Sequence, residues 1–126
     1  MRKKLETIDG TASVQQAAKK MKDRNVSSLL IVDEKGTPRG IVSERDLVTK
    51  VCYNDINASA VTNQEIMSSP LITISSRSSP SEAADMMLQH NVRHLLVVDR
   101  GDSNNLNKPV GIITPLDFTR YQEYSR

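Results

Sequence analysis

The stretch "TIDGTASVQQAAKKMKDRNVSSLLIVD" (Thr7–Asp33) returns 66 residues later as "TISSRSSPSEAADMMLQHNVRHLLVVD" (Thr73–Asp99). Twelve of the 27 aligned positions are identical, whereas average residue usage predicts about two identities by chance. Further on, "GIVSERDL" (Gly40–Leu47) returns as "GIITPLDF" (Gly111–Phe118). The offset there is 71, because "RGDSNNLNKPVG" is five residues longer than "EKGTPRG". The chain is therefore an internal duplication.

Each copy predicts the element order β-α-β-β-α. The first helix of each copy starts at a capping box, in which a serine is followed three residues later by Gln16 or Glu82. The serines are Ser13 and Ser79, and Pro80 occupies the first helical position, where its missing N–H costs nothing. Apolar residues then follow at helical spacing.

Two pairs of strands follow these helices. The continuous apolar runs "SLLIVD" and "HLLVVD" predict strands buried on both faces, and "GIV" and "GII" predict the next strand of each copy. A copy of about 60 residues is small for a core of its own. We therefore expect an α/β (α+β) fold in which repeat 1 (residues 1–60) and repeat 2 (61–126) pack about a pseudo-twofold axis as one compact module.

The charge and hydropathy patterns argue against two classes of partner. The net charge is only +2, and the chain has one Phe, three Tyr and no Trp, which is a poor supply of stacking side chains for a nucleic-acid binder. No apolar run approaches the roughly 20 residues that cross a bilayer. The basic start "MRKKLETIDG" has no apolar stretch behind it, so we expect a cytoplasmic protein with no membrane partner.

The sequence also contains few residues in patterns suited to metal binding or catalysis. Cys52 is the single cysteine, and we expect it to be a buried bystander. His90 and His94 lie at i, i+4 without carboxylate or thiolate neighbours, so we expect no metal site. The five scattered glycines form no phosphate loop, and no Ser-His-Asp or Cys-His set has an interpretable spacing. We therefore expect no catalytic residues and no enzymatic activity.

The repeated ending keeps a hydroxyl residue and an aspartate three positions apart: Ser43 with Asp46, and Thr114 with Asp117. One interpretation is structural, because the hydroxyl is a good N-cap and the carboxylate favours the first helical turn. Asp is, however, shorter than the Glu or Gln that usually closes a reciprocal capping box. The other interpretation is a ligand site: the helix start suits a phosphate, and the carboxylate accepts hydrogen bonds from a ribose diol. Four strand residues are candidates for an apolar slot around a flat base: Leu29, Ile41, Leu95 and Ile112.

The duplicated "NVxxLLVVD" strand lead-in and the Gly-apolar-apolar-Ser/Thr-x-x-Asp ending resemble tandem cystathionine-β-synthase (CBS) domains, known as a Bateman module. The resemblance extends from Thr7 to about Thr119. It implies two clefts that each bind an adenosine nucleotide (AMP, ADP or ATP) as a regulatory ligand, with no obligatory cofactor. Carried over by position, the ligand-binding residues are Thr7, Ile8, Ser43, Asp46, Thr73, Ile74, Arg93, His94, Thr114 and Asp117.

The resemblance also implies how the two sites differ. Arg93 and His94 precede the central strand of copy two, where family members carry a basic pair that reaches a phosphate across the pseudo-twofold axis. The equivalent residues of copy one are Ser27 and Ser28. The cleft of Asp46 is therefore expected to favour the more charged nucleotide.

We expect a non-enzymatic ligand or energy sensor that acts on an effector protein in trans. Family modules usually form homodimers, and the second helices offer apolar residues for that surface: Leu47, Val48, Val51, Leu116 and Phe118. Three alternatives remain open: a structural dimerisation or docking module without a ligand, S-adenosylmethionine binding, and nucleic-acid binding through Arg2, Lys3 and Lys4.

Overall fold

The structure, a computed structural model, describes residues 5–99 and 108–115. The chain divides into two compact units, Glu6–Leu71 and the residues from Ile72 onward. Each unit contains one three-stranded sheet, in which the second strand of the unit lies in the centre. Helices accompany both sheets, so the mixed α/β fold predicted from the sequence is confirmed.

The first unit contains three strands and several helical segments. In chain order they are β1 (Thr7–Asp9), α1 (Val14–Arg24), β2 (Ser28–Val32), β3 (Pro38–Ser43), α2 (Glu44–Asp46), a π-helical segment (Leu47–Cys52), a 3₁₀ turn (Ala58–Ala60) and α3 (Asn63–Ile66). The predicted β-α-β-β-α order is confirmed for this copy, and α2 runs directly into the π-helical segment.

The second unit repeats this order as far as it is described. Its elements are β4 (Thr73–Ser75), α4 (Pro80–His90), β5 (Leu95–Asp99) and β6 (Lys108–Ile113). Pro115 is helical and is the last described residue. Most of the longer stretch "RGDSNNLNKPVG" lies outside the described residues, at 100–107, as do Leu116, Asp117 and Phe118.

The two sheets have the same register. β1 runs parallel to β2 with Thr7 opposite Leu30, and β4 runs parallel to β5 with Thr73 opposite Leu96. Both antiparallel pairs shift register at the same place, where a proline, Pro38 or Pro109, enters the third strand. A proline has no N–H for the ladder, so it is tolerated at such an irregularity. The duplication seen in the sequence is therefore confirmed in the strand pairing.

The repeated Asn-Val pair ends the first helix of each unit. Asn25 and Asn91 adopt left-handed backbone conformations, with φ of 55° and 52°, and asparagine tolerates this region better than most residues. The valine that follows donates its N–H to Met21 in one unit and to Met87 in the other, at 3.0 Å in both. The pair is thus a Schellman-type helix ending. The capping boxes predicted at the other ends of these helices are both present.

Each sheet packs one face against its helices. In the first unit Val14, Ala17 and Met21 of α1 join Leu29, Ile31 and Val42 of the sheet in one core. Leu30 and Ile41, which alternate with these residues along the strands, are also buried. The second unit shows the same alternation. The central strands are therefore buried on both faces, as their continuous apolar runs predicted.

Residues 62–68, which follow the 3₁₀ turn, pair with earlier residues of the same unit at two points. Thr62 bridges to Ser13, and Ser68 bridges to Ile41. Between them, the buried Asn63 donates its side-chain amide to the carbonyl of Ala12 at 2.9 Å. The N–H of Asn63 also donates to Ala12, at 3.0 Å. These bonds fix residues 62–68 along the first unit.

Candidate functional site

The first copy of the hydroxyl-aspartate motif lies where β3 ends and α2 begins. Ser43 has an extended backbone, and its side chain accepts a hydrogen bond from the N–H of Asp46 at 3.2 Å. In return, Asp46 Oδ2 accepts from the N–H of Ser43 at 2.9 Å and from its hydroxyl at 3.1 Å. Aspartate therefore closes a reciprocal capping box here, although it is shorter than the usual Glu or Gln. The first helical turn brings its carboxylate within reach of the cap.

Asp46 uses its two carboxylate oxygens differently. Oδ2 belongs to the cap, whereas Oδ1 lies 3.1 Å from the Lys50 ammonium. The Asp46 side chain is only 9% exposed, while that of Lys50 is 41% exposed and also donates to the carbonyl of Ile66. Oδ2 is thus used by the helix cap, and Oδ1 is paired with a partly exposed ammonium. Oδ1 can still accept one more hydrogen bond.

The helix start itself has few free donors. The N–H of Glu44 donates to the Ser27 carbonyl at 2.9 Å, and the N–H of Asp46 donates to Ser43. Anion binding at a helix start depends on unsatisfied N–H groups. The phosphate site that the sequence suggested here therefore has little to offer beyond the N–H of Arg45.

One end of the first sheet brings several predicted residues together. Ser28 lies opposite Ser43 in the antiparallel ladder. On the other side of β2, the exposed Thr7 starts the parallel strand β1, followed by the half-buried Ile8. Since neighbouring strands lie about 4.8 Å apart, roughly 10 Å separates β1 from β3 at this end of the sheet.

The second unit brings the equivalent residues together at the equivalent end. Its ladder ends with Leu95 opposite Ile113, so His94 and Thr114 follow directly at the same end of this sheet. Arg93 precedes them and is exposed, whereas His94 and Thr114 are half-buried. The start of β4 lies at this end too, with Thr73 exposed and Ile74 buried. Asp117, the last predicted site residue, lies outside the described residues.

The four slot residues do not share one face of the sheets. Leu29 and Leu95 belong to the cores that pack against the helices, whereas Ile41 and Ile112 pair with Leu30 and Leu96 and point to the opposite face. Only Ile41 and Ile112 are therefore suited to face a ligand on the side of the sheet away from the helices.

The structure also contains a pocket that the sequence did not indicate. Its volume is about 390 Å³, and it is lined by the turn after β1, the end of β2, the start of β3 and residues of the α3 region. It lies at the opposite end of the sheet from Ser43. Asp9 and Asp33 contribute carboxylates to it. No sequence motif marks these residues, because the strands that bring them together are far apart in the chain.

Hydrogen bonds stabilise both carboxylates of this pocket in their charged forms. The Thr11 hydroxyl and N–H both donate to Asp9 Oδ1 at 2.7 Å and lower the pKa of Asp9. The N–H of Thr37 donates to Asp33 at 2.9 Å and, with the N–H of Lys35 and the Arg39 guanidinium, lowers the pKa of Asp33. Both groups are therefore ionised at neutral pH.

Other predictions concern metal and membrane. Within residues 5–99 and 108–115, no three His, Cys, Asp or Glu side chains are grouped to hold a metal ion, and no helix is long and apolar enough to cross a membrane. Cys52 is exposed rather than buried, which corrects that expectation. It ends the π-helical segment, one residue beyond Val51, which is buried in the core.

Comparison with known proteins identifies the duplicated unit. A family model described as the CBS domain matches residues 1–53 and again residues 64–124. The chain belongs to the CBS domain family. The two CBS matches coincide with the two sequence copies, so the tandem arrangement predicted from the sequence is confirmed.

Individual CBS relatives show how far the similarity extends. An uncharacterized protein of Methanopyrus kandleri is 35% identical over 98% of this chain, which spans only 60% of that relative. A putative signal-transduction protein with CBS domains from Burkholderia ambifaria has a TM-score of 0.81 and 27% identity, covering 98% of this chain and 86% of its own. A hexameric CBS-CP12 protein from bloom-forming cyanobacteria has a TM-score of 0.81 and 25% identity, covering 99% and 69%.

Proposed function

We propose that this CBS pair is a regulatory module that binds an adenosine nucleotide, AMP, ADP or ATP, through its two Ser/Thr-x-x-Asp motifs. One observation carries the proposal. Both units place the motif hydroxyl, Ser43 or Thr114, at the end of the sheet where the first strand starts, at Thr7 or Thr73, with the central strand between the two. A shared arrangement of hydroxyl, strand start and apolar face suits a nucleoside.

The geometry of Asp46 reconciles the structural and ligand-binding interpretations. Oδ2 holds the cap to Ser43 at 2.9 Å, so the helix start is preserved whether or not a ligand is bound. Oδ1 faces Lys50 at 3.1 Å, and a carboxylate oxygen can accept a second hydrogen bond beside that ammonium. We assign Oδ1 as the acceptor for a ribose hydroxyl. Asp117 takes the same role in copy two by its position in the motif.

The phosphate requires a different partner, because the N–H groups at the start of α2 are used within the protein. In the second unit we assign a phosphate to Arg93 and His94 with the Thr114 hydroxyl, which lie at one end of the second sheet. Arginine is suited to this task because its planar guanidinium matches phosphate geometry. The equivalent residues of the first unit, Ser27 and Ser28, carry no charge, so the two motifs are expected to bind unequally.

The proposed module is non-enzymatic and signals through a partner, in trans or within a longer protein. Val48 and Tyr53 are large apolar side chains that are 60% and 82% exposed, and Ile56 is 43% exposed. This surface, together with the hexameric state of the CBS-CP12 relative, supports self-association, and we propose a homodimer. Regulation requires that the dimer has two conformations and that the ligand binds one of them more tightly than the other.

A ligand-free docking module is the second candidate. The completed cap at Ser43 and Asp46 favours it, because the motif is stable without a ligand. The exposed Val48 and Tyr53 would then be the functional surface.

Thermal unfolding with each nucleotide separates the two candidates. A nucleotide at 100 times its Kd adds about 2.7 kcal/mol to folding and raises the midpoint, and Arg93→Gln should remove most of the increase. The matched control Arg77→Gln changes another exposed arginine of the same unit. If no nucleotide raises the unfolding midpoint of a nucleotide-free preparation, the docking module is the function that remains. A response to S-adenosylmethionine alone, or only to nucleic acid with steep salt dependence, would replace the proposed ligand.

A further inference from the structure

The pocket at the other end of the first sheet has the properties of a small-molecule site. Its volume of about 390 Å³ falls within the range of roughly 300–1,000 Å³ that is typical of such sites. It lies within one unit and contains no residue of the nucleotide site proposed above. An occupant of this pocket would therefore be a separate ligand.

The walls of the pocket are fixed by backbone hydrogen bonds. The N–H of Gln64 donates to the Gly10 carbonyl at 2.9 Å, and a Cβ on Gly10 would lie 3.3 Å from both the Gln64 side chain and Ile31. The absence of a side chain at Gly10 thus lets α3 approach the turn after β1. The site is preformed, which lowers the entropic cost of binding.

The charges in the pocket leave a surplus of negative charge. Asp33 is paired with Arg39, whose Nε and Nη2 both lie 2.9 Å from Asp33 Oδ2. Asp9 receives two hydrogen bonds from the neutral Thr11 but, among the described residues, no ion pair. The negative charge of Asp33 acts against the charge of Asp9. Glu34, exposed on the next turn, adds a further negative charge.

The remaining lining is apolar. Ile31 is buried, Val32 is half-buried, and Met67 contributes its thioether from the segment that follows α3. A ligand that matches both the acidic and the apolar lining carries a positive charge on an alkyl chain. We propose that this pocket binds a small organic cation of the alkylamine class, with its ammonium group at Asp9 and Glu34 and its chain over Ile31, Val32 and Met67.

Two other ligand classes fit less well. A bare metal ion would need several carboxylates converging on one point, and the described part of the chain has no such group. An anion would meet Asp9 and Glu34, and Arg39, the one cation that lines the pocket among the residues the structure describes, is already paired with Asp33. The volume and the charge therefore favour an extended cation.

Putrescine is the probe, and 1,4-butanediol is its uncharged isostere. Titration is followed by ¹H–¹⁵N correlation spectra of the full chain, with the amide signals of Gly10, Thr11 and Glu34 as reporters. We expect putrescine to cause saturable shifts at these amides, and butanediol to cause none. Magnesium chloride is titrated in parallel, because saturable shifts with magnesium alone would assign the pocket to a metal and overturn the proposal.

The variants separate charge from structure. Asp9→Asn keeps an amide oxygen that accepts from Thr11, and Glu34→Gln changes an exposed residue, so both should fold. Each should weaken putrescine binding by about tenfold, the usual effect of losing one charge-assisted hydrogen bond. Asp23→Asn removes an exposed carboxylate of α1 outside the pocket and should have no effect.

Two results would overturn the proposal: an equal response to butanediol, or unchanged affinity in the Asp9→Asn/Glu34→Gln double variant. An absence of any saturable shift in the wild type would do the same. The nucleotide proposal is tested separately, since Asp46→Asn leaves every pocket residue intact and should bind putrescine normally.

Discussion

Replacing Asp46 separates the structural work of the motif from its proposed ligand contact. In Asp46→Ala, the buried N–H of Ser43 loses the carboxylate that accepts from it at 2.9 Å. Losing a helix cap costs about 0.5–2 kcal/mol, and leaving a buried donor unsatisfied costs about 1–3 kcal/mol. These costs describe the same bond and are not added, so we expect a loss of about 2 kcal/mol. The substitution also removes the ion pair between Asp46 Oδ1 and the Lys50 ammonium, 3.1 Å apart.

Asp46→Asn should cost much less, because its side-chain oxygen still accepts from Ser43. The lost charge at the helix start is worth about 0.3–1 kcal/mol. Urea unfolding of the two variants and of wild type measures the difference, with Asp23→Ala as the control for an exposed aspartate. An Asp46→Ala loss below about 0.5 kcal/mol, the usual bound for surface substitutions, would show that the cap contributes little and refute this reasoning.

Three further predictions concern local geometry. Gly40→Ala would place a Cβ 2.9 Å from the backbone carbonyl oxygen of Ser68, so urea unfolding should show a loss of about 1–3 kcal/mol; an unchanged midpoint would contradict this contact. Asn25→Ala should lose about 1 kcal/mol at its φ of 55°, whereas Asn25→Gly should not, and equal losses would exclude backbone strain as the cause. The N–H and hydroxyl of Ser79 lower the pKa of Glu82. The Glu82 carboxylate therefore contributes fully to folding stability above its unfolded pKa of about 4.3. This contribution is lost as the pH falls through the pKa of the folded state. Glu82→Gln gives the second repeat the neutral capping residue found in the first. Its melting temperature should fall less than that of the wild type between about pH 5 and pH 3. An equal fall in both proteins would show that the Glu82 carboxylate does not cause the pH dependence.

Local sequence signals predicted most of the fold. The capping boxes at Ser13 and Ser79 and the apolar central strands are short-range patterns with a direct physical cause, and both appear in the structure. The duplication strengthened each of them, because a pattern seen twice in register is rarely accidental. The motif positions of the candidate site were predicted for the same reason.

Long-range packing was not predictable in this way. The bonds of Asn63 to Ala12 and the bridge of Ser68 to Ile41 join segments that have no pattern in common. The pocket beside Asp9 depends on these contacts and on the register of β2 and β3, so its residues gave no signal in the sequence. The role of Asp46 was misjudged in part, because side-chain reach depends on the backbone geometry of Ser43 rather than on residue type alone.

The most direct test of the nucleotide proposal is isothermal titration calorimetry of AMP, ADP and ATP into nucleotide-free wild type, Asp46→Asn and Arg93→Gln. The account predicts saturable binding of at least one nucleotide to the wild type. It also predicts that Asp46→Asn or Arg93→Gln, whichever removes a contact to the bound nucleotide, weakens binding by about tenfold or more. This is the effect expected for one charge-assisted hydrogen bond. Absence of binding to the wild type, or equal affinity in all three folded proteins, would contradict it.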